Sequence, residues 1–138
     1  MPMSASMYIV VEGEDPGFDI FVNGQALARN EDALERLALK LSTRPLLEFF
    51  SADKNSMALL LDQGAGSPDW SYHLPQPQWF DPEDGLRTVR ALLDFLAMAP
   101  VALGSDTEAI ERELREYETV LRKTAQRGLR WHLAVSWR

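Results

Sequence analysis

The sequence predicts a single α+β domain over residues 1–138: a small, mainly antiparallel sheet drawn from both chain ends and covered by about three helices. Three observations predict it. The chain opens on a β-branched and aromatic run, "MYIVVE" (7–12), and closes on a period-two run, "LRWHLAVSW" (129–137). Between them, apolar residues recur every three or four positions, the spacing of helices with one buried stripe. The strands are too few, and the helices too clustered, for a doubly wound α/β fold.

In residues 7–12, Met7, Ile9 and Val11 alternate with Tyr8 and Val10, so both faces are apolar and the strand should be covered on both sides. Glu12 to Gly17 is a turn by composition. Asn23-Gly24 suits a two-residue hairpin turn, yet Gln25 to Ala28 has helical composition, and both readings stand. Asn30 can cap a helix running to about Leu41, with Leu34, Leu37, Ala38 and Leu41 as its stripe. Pro45 can open a short helix that buries Leu46 or Leu47 together with Phe49 or Phe50. Residues 57–61, "MALLL", fit strand and helix equally.

Asp81-Pro82-Glu83-Asp84 starts the clearest helix, with a capping carboxylate, proline at the first position and acids in the first turn. Leu86, Val89, Leu93 and Leu96, with Leu92 beside them, form its buried face, and Pro100 and Gly104 end it. Ser105 to Glu108 reads as a capping box. The helix that follows runs to about Arg127 with Gly128 as its stop, burying Ile110, Leu114, Tyr117 and Leu121. Glu108–Arg112, Glu111–Arg115 and Glu118–Arg122 are spaced to pair along it. Helices 81–99 and 105–127, joined by a short loop, should lie antiparallel. In the closing strand Leu129, Trp131, Leu133, Val135 and Trp137 face the core, while Arg130, His132, Ala134 and Ser136 point off the polar side.

The totals bound the function. A chain of 138 residues can bury a core without disulfide or metal. With no cysteine, disulfides, thiol catalysis and zinc-finger or iron–sulfur sites are excluded. The longest apolar run, Phe95–Leu103, is nine residues broken by Pro100, against the roughly 20 of a membrane span. The opening "MPMSASMYIVV" lacks the pattern of a signal peptide. The expected location is therefore the cytoplasm, with no membrane partner. The net charge of −7 argues against nucleic acid as a partner. That charge is uneven. Residues 1–35 hold seven acids and one base, Arg29, whereas residues 119–138 hold five bases and no acid.

Catalytic patterns are missing. "GAGS" (64–67) lacks the lysine of a phosphate-binding loop. His73 and His132 have no metal-ligand spacing, although a shared sheet could bring them together. Ser71 lies two residues from His73 but outside any nucleophile elbow. Glu12, Glu14, Asp15 and Asp19 crowd the end of the first strand; they could raise one carboxyl pKa or hold a hard cation, but most simply form an acidic turn. No cofactor, catalytic set or metal site is expected.

Residues 62–80 form a long connection rich in Gly, Pro and Ser. Four of the chain's thirteen aromatics lie between Trp70 and Phe80. Trp79 and Phe80 adjoin the helix start and should close over the core, with Phe80 or Trp79 packing against Leu86. Trp70 and Tyr72 are farther from any firm element. They serve either as core or as contact surface, where such residues supply most binding energy.

"LERLALKLSTRPLLEFFS" (34–51), "WFDPEDGLRTVRALLDFL" (79–96) and "LREYETVLRKTAQRGLRWHLAV" (114–135) together resemble a group of small bacterial proteins of uncharacterised function. The resemblance spans about half the chain and implies no activity, cofactor or catalytic residue.

Two functions follow as expectations. The first is a non-enzymatic acidic module that binds a basic protein, as an immunity protein or antitoxin does, through Trp70 and Tyr72. The second is a small-molecule pocket or enzyme between residues 62–80 and the closing strand, with His73, Arg130 and His132 as polar groups and Trp70 and Tyr72 as walls. The direction of His132, into a cleft or onto open surface, separates them. An exposed edge on the last strand would also allow a homodimer.

Overall fold

A computed structural model describes residues 5–13, 15–51 and 77–137. The expected α+β architecture is present. In chain order it comprises β1 (Ala5–Val11), α1 (Gln25–Arg29), α2 (Glu31–Lys40), a 3-10 turn (Leu46–Phe49), α3 (Pro82–Met98), a second 3-10 turn (Gly104–Asp106), α4 (Thr107–Gln126) and β2 (Trp131–Trp137). Residues 57–61, 64–67 and 70–74 lie outside the described residues, as do Glu14 and Ser71.

β1 and β2 pair antiparallel, with Ala5 opposite Trp137 and Val11 opposite Trp131. Opposed residues share a face, so this register puts Met7, Ile9 and Val11 beside Val135, Leu133 and Trp131 on the core side. Tyr8 and Val10 join Ala134 and His132 on the other. Among the described residues the sheet has these two strands, and the outer side of β2 is partly covered by isolated bridges. That side is met at Leu133 by Phe50 and Ser51, whose N–H donates to the Leu133 carbonyl at 3.0 Å. Phe80 exchanges two backbone hydrogen bonds with Trp131, at 2.8 and 3.0 Å. The edge at which a homodimer was expected is thus occupied at residues 131 and 133.

α3 and α4 lie antiparallel across the core. Gly85 approaches Leu121 while Arg90, farther along α3, pairs with Glu118, which is earlier on α4. Leu86, Val89, Leu92 and Leu96 of α3 and Ile110, Leu114, Tyr117 and Leu121 of α4 are buried, as their spacing predicts. The α3 start is as read: the Asp81 side chain accepts the Glu83 N–H at 2.9 Å, and Pro82 follows. Gly128, at φ 68°, stops α4 in the left-handed conformation that glycine adopts without strain.

Of the two readings open at residues 25–28, helix and hairpin arm, the structure has the helix. Three local expectations are corrected. Asn30 makes no side-chain cap; its amide donates to the Ala26 carbonyl and to Asp106, joining α1 to the start of α4. Ser105 does not open a capping box, because residues 104–106 form a 3-10 turn and Thr107 donates to the Gly104 carbonyl. Of the three ion pairs proposed along α4, only Glu111–Arg115 is within reach among the described residues. Glu118 instead reaches Arg90 across the helix pair.

Trp131 is the centre of the aromatic core and has no solvent exposure. Phe49 lies against it at 5.0 Å, and Phe80 meets Phe49 edge-on at 5.4 Å. The Arg44 guanidinium stands over both phenyl rings, at 4.5 and 5.0 Å, an arrangement in which the ring quadrupole attracts the cation. Phe80 is partly buried and closes over the core, with Phe49 as its ring partner. α3 can approach this cluster because residue 85 is glycine: a Cβ there would lie 2.4 Å from the Trp131 ring. Gly to Ala inside a helix ordinarily adds about 1 kcal/mol of stability. Here overpacking outweighs that gain, since Phe49 and the Trp131 Nε1 bond to the Asp81 carbonyl fix the indole. Gly85→Ala should cost about 1–2 kcal/mol net in urea unfolding; a stabilised variant would show that the indole yields.

Candidate functional site

Of the five residues singled out in the sequence, Trp70, Tyr72 and His73 lie outside the described residues. Arg130 and His132 are two apart on the strand and sit in different environments.

His132 lies on the side of β2 expected to be polar and solvated, yet it is 1 % exposed. Its Nδ1 is 3.0 Å from the Gln78 carbonyl, and Trp79 stacks on the ring at 4.4 Å between centroids. Trp79 therefore packs on β2. Ala134, on the same face, is also fully buried, so β2 is covered on both sides. Period-two alternation with small or amphipathic residues cannot distinguish a solvated face from one covered by an aromatic lid. The same corner joins the chain on either side of residues 52–76: the Ser51 hydroxyl accepts the Gln78 N–H at 2.8 Å.

Arg130 is exposed and grips Glu12 with two hydrogen bonds, 3.1 and 2.5 Å, beside the backbone bond from Glu12 N–H to the Arg130 carbonyl. The guanidinium holds the Glu12 carboxyl below its ordinary range. Asp15 and Asp19 bond locally. Asp15 accepts the Gly17 N–H and Asp19 the Phe21 N–H, each at 2.9 Å; short side-chain turns of this kind are a common use of Asp. Arg127 covers the same turn, standing over Phe18 at 5.6 Å and donating to the Gly17 carbonyl. The uneven charge of the sequence is thus partly resolved within the fold, because antiparallel pairing of the termini brings the acidic start against the basic end.

α2 is different. Glu31, Asp32 and Glu35 bring carboxylate oxygens within 4.8 Å of one another at the surface. None of the three forms a salt bridge among the described residues. Partial burial, then the neighbouring carboxylates of Asp32 and Glu35, push the Glu31 carboxyl up.

One functional-looking group escaped sequence reasoning. Glu113 is 3 % exposed, and its two oxygens accept the N–H groups of Ala26 at 3.1 Å and Leu27 at 2.9 Å, which open α1. Burial raises its pKa, against those two hydrogen bonds and the nearby Arg29. Around it, Glu116 accepts the Asn23 N–H, and the Tyr117 hydroxyl donates to the Met7 carbonyl at 2.5 Å. Burial, then Glu113 and Glu116, hold the Tyr117 phenol well above its ordinary value. The signal was present, since Glu113 occupies the i+3 place after Ile110 and the i−4 place before Tyr117, inside the apolar stripe. This network is structural, tying α1 and the β1 edge to α4.

A surface cleft of about 330 Å³ opens beside Arg130, lined by Asp81, Pro82, Glu83, Ala125, Gly128 and Leu129 as well. His132 does not line it.

Comparison with protein-family models, with curated proteins and with solved structures finds no match. No helix among the described residues is long and apolar enough to cross a membrane.

Proposed function

We propose that this protein is a non-enzymatic acidic module that binds a basic protein, in the manner of an immunity protein or antitoxin facing a basic effector. The observation that supports this reading is the Glu31–Asp32–Glu35 cluster, three neighbouring surface carboxylates that form no salt bridge among the described residues. Their mutual repulsion is relieved when an opposite charge docks, and unscreened surface charge speeds encounter with a basic partner. Trp70 and Tyr72 are the contact residues of this reading, because aromatic side chains supply contact energy that exposed charges do not. The pocket reading is less well supported. Arg130 is engaged by Glu12, and His132 is enclosed by Trp79 and Gln78.

The test is affinity capture from a lysate of the source organism, with the wild-type chain and a Glu31→Gln, Asp32→Asn, Glu35→Gln variant as parallel baits. The expected result is a specifically retained basic protein that associates about tenfold more slowly with the variant. Trp70→Ala or Tyr72→Ala should weaken its binding by more than about 1 kcal/mol. A retained partner that is acidic, or indifferent to all of these substitutions and to salt, would overturn the reading.

A further inference from the structure

We propose that the cleft between the start of α3 and the end of α4 seats one basic side chain, lysine or arginine, of that partner; this rests on the reading above. The lining carries the argument. Pro82, Ala125 and Leu129 supply apolar wall suited to an alkyl stem, and the volume of about 330 Å³ is at the lower end of ligand pockets, roughly 300–1,000 Å³. Asp81 and Glu83 supply charge, and neither forms an ion pair among the described residues. Asp81 spends one oxygen on the Glu83 N–H, leaving the second for a ligand. The single cation in the lining, Arg130, is already neutralised by Glu12.

The backbone does not reverse this balance. α3 presents its positive end and α4 its negative end, and the two half-charges oppose each other. Two of the last carbonyls of α4 are satisfied: Gly128 N–H donates to Ala125 and Leu129 N–H to Thr124, each at 3.1 Å. What remains is a wall of carbon with the second oxygen of Asp81 and the carboxylate of Glu83, complementary to a cation on an alkyl stem. A Cβ at Gly128 would meet nothing within 4 Å, so that side of the cleft is open to an entering chain.

The experiment is an amide-shift NMR titration of the full chain with N-acetyl-lysine amide and, separately, N-acetyl-arginine amide. The Nε-acetylated lysine compound serves as the uncharged control. Expected are saturable shifts at Glu83, Ala125, Gly128 and Leu129 with one or both cations and none with the control. Glu83→Gln should weaken binding about threefold, as fits an exposed ion pair. Ala125→Met, which fills the cleft without changing charge, should abolish it. Shifts that are absent, shared by the uncharged control, or unchanged in both variants overturn the proposal. A captured partner that tolerates Glu83→Gln and Ala125→Met, but is lost with the α2 triple variant, overturns the cleft and leaves the functional reading intact.

Discussion

Gly24→Ala is expected to lower stability by about 3 kcal/mol, the upper end for overpacking. Gly24 lies where the chain crosses the outer edge of β1, and its carbonyl accepts the Met7 N–H at 3.2 Å. A Cβ at this position would stand 1.7 Å from the Met7 carbonyl oxygen and 2.8 Å from its nitrogen. The obstacle is backbone inside a paired strand, so no side chain can rotate away. Either α1 lifts from β1 or the strand edge bends. Both outcomes weaken the Met7–Gly24 bond, and the Tyr117 hydroxyl on the Met7 carbonyl is strained with it. The measurement is urea unfolding of variant and wild type at equal m-value. A change within about 0.5 kcal/mol, typical of neutral surface substitutions, would refute the close approach.

Glu113→Ala is expected to cost about 3–4 kcal/mol, because it strands two buried N–H donors and each unsatisfied donor costs about 1–3 kcal/mol. The loss should be local first. α1 has five residues, too few to be stable alone, so hydrogen exchange at Ala26 and Leu27 should accelerate more than exchange in α3. Glu113→Gln is the milder variant. Its amide oxygen still accepts one N–H, while its NH2 faces the other donor.

The pH dependence separates charge from shape. Burial raises the Glu113 pKa above its ordinary 4.5, so the folded chain binds this proton more readily than the unfolded chain. The contribution to stability is therefore complete below pH 4.5 and is lost as pH rises through the folded pKa. Relative to Glu113→Gln, the wild type should gain stability on acidification from neutral pH down to about 4.5 and then level off. Glu12 and Asp106 act in the opposite sense. Hydrogen bonds from Arg130, and from Asn30 and Arg29, lower their pKa values, so their contribution is lost at low pH. Both groups are common to wild type and variant and cancel in the difference. A flat difference curve would mean that Glu113 titrates as an ordinary surface acid.

Much of this architecture follows from local chemistry. The Asp81-Pro82 start, the Gly128 stop, the stripes of α2, α3 and α4 and the two terminal strands were legible because each depends on residues within a turn or two of one another. Strand pairing followed from there being two good strands. The errors have a different character. Asn30 and Thr107 were read as parts of local caps, yet Asn30 bonds Asp106 across 76 positions and the capping box gives way to a 3-10 turn. After Asn23-Gly24, where hairpin and helix both stood open, the helix is held by Glu113 from α4. At Asn30 and at α1 a partner distant in sequence decided the outcome, whereas at residues 104–107 one local arrangement, with the Thr107 hydroxyl on the Gly104 carbonyl, replaced another.

The candidate site divides along the same line. The sequence by itself determined the aromatic content of residues 70–80, the absence of cysteine and the opposed charges of the two chain ends. Only the tertiary structure decided that part of this charge is consumed internally, through Glu12–Arg130, and that among the described residues the acids of α2 form no salt bridge. It also decided that His132 is enclosed, because Trp79 folds back onto the strand face that alternation marks as polar. Periodicity reports which side of an element is apolar. It carries no information on what a distant segment will place against the other side.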